Sequence, residues 1–168
     1  MDRTVRTRRL LYVVAGAATL FLIGTVAAPW LASRGNPWGP VVASFYAPLC
    51  HQIAERSFAV LDGHQAICTR CVGLYLGGVV GLLAGALFLA AGGRRPRPRW
   101  LAIALAPTVA DWILPQIGLP GLPGLGRLLL ALPLGFLAAL FVSSALAELV
   151  HGSFVIPNRP AVLEESDG

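Results

Sequence analysis

Cys68 and Cys71 stand three residues apart in CTRCVGLYLGG, a spacing at which one turn of backbone aims both sulfurs at a common point. Cys50 lies upstream in PLCHQIAERSF, followed directly by His51, and His64 precedes Cys68 by four positions. All three cysteines of the chain and two of its three histidines thus fall between positions 50 and 71. Cys50, His51, His64, Cys68 and Cys71 are the candidate metal ligands. Three sulfurs with one or two imidazoles suit a soft or borderline transition-metal ion, zinc first, with copper(I) or iron as alternatives. Metal handling or transport is the matching activity.

Two other chemistries fit the same residues. A Cys-x-x-Cys pair at a helix N-terminus, with Arg70 between the thiols, is where the helix dipole and a neighbouring cation lower a thiol pKa. That reading makes the chain a membrane thiol-disulfide oxidoreductase working on a thiol substrate. An odd number of cysteines fits a mixed Cys and His metal site more easily than paired disulfides. The plainest alternative is a structural disulfide in a small membrane subunit, so enzymatic activity is left open.

The elements that must position these residues are membrane spans. Of the 168 residues 56% are hydrophobic and 12% charged, where a soluble domain carries about 25% charged residues. Crossing the hydrocarbon takes about twenty apolar residues in a helix. Four stretches meet that length, at about 10–31, 72–92, 100–119 and 128–150. No strand alternation suggests a barrel, so the expected fold is all-α, one domain over 1–168, a bundle of four transmembrane helices in the lipid bilayer. The formal charge of +5 sits in short arginine blocks between apolar runs, with no nucleic-acid motif. Arg3, Arg6, Arg8 and Arg9 precede the first span, and Arg94, Arg95, Arg97 and Arg99 fill the link between the second and third. Arginine asymmetry of this kind predicts a cytoplasmic N-terminus in the cell (inner) membrane, an extracytoplasmic loop over about 32–71 that carries the cysteines, and a cytoplasmic tail over 151–168. A signal peptide is the competing reading of the first span, and it leaves the loop outside as well.

Within that loop ASRGNPWGP predicts turns, a short interfacial helix is expected from about His51 to Val60, and DGHQ predicts a further turn. In the second span Gly73, Gly77, Gly81 and Gly85 recur every four residues, a face suited to close packing against another helix of the chain or, alternatively, to a homo-oligomer. Asp111, in the third span between Pro107 and Pro115, is an acid at a costly depth, with Gln116 and Arg127 as candidate partners. Glu55 and Arg56 are candidates to orient a histidine ligand, or else solvated charges. Trp30, Trp38 and Trp100 read as belt residues at the two interfaces. No phosphate-cradling loop or nucleophile elbow is present in the sequence.

CHQIAERSF, then Gly63, then CTRCVGLYLGG resembles the signature of an uncharacterised family of small prokaryotic multi-pass membrane proteins. The resemblance rests on Cys50, His51, Gln52, Glu55, Arg56, Ser57, Phe58, Cys68, Arg70, Cys71, Gly73, Tyr75 and Gly77. It continues at Asp111, Gln116 and Arg127, with Trp112 where that family usually has glycine. It implies a membrane protein and supplies no activity.

Overall fold

A computed structural model describes residues 3–90 and 96–151. The order is α1 (Arg3–Ser33), α2 (Trp38–Tyr46), a 3-10 turn at Ala54–Arg56, β1 (Ala59–Val60), β2 (Gly63–His64), α3 (Thr69–Ala90), α4 (Pro98–Ile113) running into a 3-10 turn at Leu114–Ile117, and α5 (Gly124–His151). Among the described residues four segments are long and apolar enough to cross a membrane: Thr4–Ser33, Thr69–Phe88, Pro98–Ile117 and Gly124–Val150. The expected all-α architecture with four spanning helices is therefore what the chain adopts. Arg94 and Arg95 of the expected link, the last two positions of the expected second span and the tail after His151 lie outside the described residues.

The core of the bundle is the α3–α5 contact. A Cβ added to Gly73, Gly77 or Gly81 would run into the backbone of α5 at Leu128, Leu132 or Phe136, and one on Gly85 would strike Ser143. Gly135 of α5 reciprocates against the Leu74 carbonyl. Without side chains at these points the two backbones approach to the limit of van der Waals contact, the association mode available where lipid removes the hydrophobic incentive. The alternative that this glycine face meets a second copy is thereby corrected, because the chain's own α5 occupies it. On the other side α1 packs against α3, with Leu11 and Ala15 buried among Leu82, Ala86 and Ala139. α4 leans on α5 and buries only Ala104 and Asp111.

α1 stops where Gly35, with φ +68, lets Asn36 N–H reach the Leu31 carbonyl and Gly35 N–H the Ala32 carbonyl, a glycine-terminated helix end. The expected interfacial helix at 51–60 does not form. Helix appears earlier, in α2, which folds back along α1: Gly39 sits against the Ala32 backbone, and the Tyr46 hydroxyl donates to the Phe21 carbonyl at 2.8 Å. The chain then crosses back, and Ala66 N–H donates to the Thr25 carbonyl at 3.1 Å just before α3 begins. Over 51–60 itself the backbone is broken by Gln52, whose φ of 52° no helix accommodates. The expected turn at Asp62 is present as the tip of the β1–β2 hairpin.

Two adjacent glycines separate packing from propensity. Gly77→Val should cost about 3 kcal/mol by overpacking against Leu132. Gly78→Ala, with nothing within 4 Å of its added methyl, should stay within about 0.5 kcal/mol of the parent. Thermal unfolding in detergent reads both.

Candidate metal centre

Two segments bring the three sulfurs together. Cys50 follows α2, held by its N–H to the Tyr46 carbonyl at 3.0 Å. Cys68 is the residue from which α3 starts, its carbonyl accepting Val72 N–H at 3.0 Å, and Cys71 lies one turn on. The link between them is direct: Cys68 N–H donates to Cys50 Sγ at 3.2 Å, and the Cys68 and Cys71 sulfurs are 3.4 Å apart. All three sulfurs lie within 4.8 Å of one another. Thiolates arranged tetrahedrally about zinc at about 2.3 Å stand about 3.8 Å apart, so the donor set fits such an ion with small side-chain adjustments. Cys50 is buried, and Cys68 and Cys71 are half-buried.

Cys50 owes its position to residues the sequence reading left aside. Gln52 donates through Nε2 to the Ala43 carbonyl at 2.7 Å and to the Ala66 carbonyl at 3.0 Å, clamping the end of α2 to the strand of chain that enters α3. Gln65, buried, donates to Thr25 Oγ1 at 2.7 Å and fixes the same entry against α1. Gln52 was visible only as part of the family-like Cys-His-Gln triplet. Thr25 carried the faint signal of a hydroxyl inside an apolar run.

The Cys68 thiol is lowered to about 5, first because the Cys71 thiol hydrogen-bonds to it. Backbone N–H groups of Cys71 and Arg70 add to this, so the sulfur caps α3 much as a serine oxygen would, while burial opposes the shift. Arg70 acts through its amide here. Its guanidinium, expected beside the thiols, turns away and ion-pairs with Asp111 of α4.

Asp111 is 1% exposed. Besides Arg70 it accepts Leu122 N–H on Oδ1 at 3.0 Å, and Arg127 Nε of α5 stands 3.6 Å from Oδ2. One carboxylate thus joins α3, α4 and α5. Arg127 is the partner expected from sequence; Arg70 is one that spacing could not reveal, and Gln116 lines the cavity beside the acid without hydrogen-bonding to it.

The histidines part company. His51 is exposed and lines a cavity of about 340 Å³ together with Cys50, Cys68, Cys71, Arg56 and Arg127. His64, on β2, is also exposed and lines a different cavity near Pro29 and Gly39. Neither joins the group of three sulfurs. Glu55 is exposed on the 3-10 turn, and Arg56 beside it is half-buried.

Residues 50–141, which hold the three cysteines, His51, His64 and the Asp111 ion-pair group, match the family described as "Predicted membrane protein (DUF2085)". The chain belongs to the DUF2085 family. Uncharacterized protein MJ1492 of Methanocaldococcus jannaschii is 28% identical over 142 residues, covering 80% of this chain and 91% of that protein. No solved structure matches the chain. DUF2085 is a family of membrane proteins of unknown function, in agreement with the resemblance read from the cysteine-bearing segments.

Two measurements follow from this geometry. In reduced, chelator-treated protein, alkylation of Cys68 should hold its rate as pH falls and decline only near pH 5, because a lowered pKa keeps the thiolate populated above that point. Cys71→Ala removes the leading cause and should move the midpoint up toward the ordinary thiol range. Separately, Asp111→Asn leaves the part-buried Arg70 and Arg127 guanidiniums without their buried acid and should destabilise the bundle by about 2 kcal/mol in detergent melts.

Proposed function

We propose that this membrane protein holds a transition-metal ion on Cys50, Cys68 and Cys71, with zinc the first choice and copper(I) or iron as alternatives, and uses it in metal handling or transport. The observation that carries the reading is the convergence of three sulfurs from two separate segments within 4.8 Å. A structural zinc site is closed by four protein ligands, whereas a site that exchanges or presents its ion keeps a position open. Three thiolates would leave one position for a further ligand, and the cavity that the three cysteines line is the one His51 also lines. His51, which lines the same cavity as the sulfurs, would be the imidazole available to close that position while the ion is stored, whereas His64 lines the other cavity.

The centre belongs on the extracytoplasmic side. Arg6, Arg8 and Arg9 in the first turns of α1, and Arg97 and Arg99 at the start of α4, lie at the opposite end of the spans from the cysteines, and short arginine-rich segments stay cytoplasmic. The whole chain is read as one membrane unit, since the sequence between α1 and α3 packs on both helices rather than apart from them.

A second reading draws on the 3.4 Å separation of the Cys68 and Cys71 sulfurs and on the lowered Cys68 thiol. Such a pair suits thiol-disulfide exchange at a half-buried, low-pKa cysteine.

Elemental analysis of protein purified in detergent under reducing conditions, together with a free-thiol count, separates the two. Stoichiometric metal should be found and should fall to background in Cys50→Ser, Cys68→Ser and Cys71→Ser, while His64→Ala retains it. Metal-free protein with a reversible Cys68–Cys71 disulfide assigns the second reading instead.

A further inference from the structure

The cavity beside the cysteines contains more positive charge than a thiolate centre uses. Arg56, Arg70 and Arg127 all line it, and among the described residues no aspartate or glutamate does. Asp111, from behind, is the acid that reaches Arg70 and Arg127, and among the described residues no acid lies in ion-pair range of Arg56. Three guanidiniums against one carboxylate leave two positive charges. Three thiolates around a divalent cation add one negative charge and still leave one positive. Arg70 Nε and Arg127 Nε are buried with no hydrogen-bond partner, and an unsatisfied buried donor on a charged group is costly. A guanidinium fork is built to meet two oxygens of a phosphate or carboxylate.

Depth and rim narrow the class. Thr69 and Arg70 open the span of α3, Gln116 closes that of α4, and Arg127 stands at the start of that of α5, so the cavity lies where three spans end together. That level is the boundary between hydrocarbon and headgroups, the depth of lipid phosphates. Leu49, Ile53 and Trp112 form an apolar part of the same lining and are exposed. A floor of cations with an apolar rim fits an amphiphile whose head is an anion.

We propose that this cavity is an oxyanion site that takes a phosphate group, presented to it on an anionic phospholipid headgroup, next to the cysteines and independent of whether they hold a metal. Arg56 and Arg127 contact the phosphate oxygens, and Trp112 and Ile53 take the apolar part of the lipid.

The thiols in the same cavity report occupancy locally. Delipidated, reduced and chelator-treated full-length protein in maltoside micelles is alkylated with N-ethylmaleimide, and the rate at Cys68 and Cys71 is followed by mass spectrometry. Phosphatidylglycerol should slow modification by about threefold or more, zwitterionic phosphatidylcholine by less. In Arg56→Gln, an alteration on a half-exposed turn away from the helix contacts, the protection should vanish while the rate in micelles alone stays as in the parent. Arg127→Gln should weaken protection as well. Inorganic phosphate at constant ionic strength is the second arm: protection by phosphate but not by phosphatidylglycerol keeps the oxyanion site and assigns it to a free ion. Equal rates with and without either probe, or protection that Arg56→Gln retains, overturn the proposal. A metal analysis of Arg56→Gln is unaffected by either result, so loss of the lipid site and loss of the metal centre are read apart.

Discussion

α3 and α5 touch backbone to backbone. Lipid tails offer an aliphatic side chain as good a surrounding as a neighbouring helix does, so helices hold together in a bilayer by close fit and by polar links. The glycines at 73, 77, 81 and 85, answered by Gly135, provide the fit. The candidate site hangs from that pair. α3 begins at the thiols and α5 carries Arg127, so the relative height of the two helices fixes where the sulfurs stand with respect to the guanidiniums. α1 is then laid against α3 and α4 against α5.

The segment between α1 and α3 solves a different problem, that of bringing Cys50 to the other two cysteines without a helix to carry it. Polar side chains satisfied by backbone groups do this. Tyr46 bonds to α1, Gln52 spans from α2 to the chain before α3, and Gln65 bonds to Thr25. Each buries a donor that has found its acceptor, the condition under which buried polarity adds rigidity instead of cost. The Asp111 node works likewise across α3, α4 and α5, and it draws the Arg70 charge away from the thiols although its amide remains with them.

Much of this was legible in the sequence, and the reason differs by feature. The four spans follow from charge-free length, a property that needs no tertiary information. The glycine period announced a tight helix contact but not its partner. The cysteines were legible by concentration alone, and the structure unites Cys50, Cys68 and Cys71 while placing His64 elsewhere, because the hairpin tip at Leu61 and Asp62 turns that residue back toward Pro29. α2 was hidden behind a glycine- and proline-rich approach, since its stability comes from lying on α1 at Gly39 and Tyr46. The partner of Arg70 was hidden for a similar reason: Asp111 is 41 positions away, and only folding decides which cation meets a lone acid.

The register of α1 has its own consequence. The cysteine-bearing segment meets α1 at Thr25, yet that helix continues to Ser33, a further 12 Å or so of rise. α2 returns along this overhang, so on that flank the sulfurs lie at the foot of a wall and not at its crest. On another flank the cavity beside them is lined by Trp112 and Gln116. Weakly hydrated species, and species already half immersed in lipid, are the ones such a recess admits at least expense.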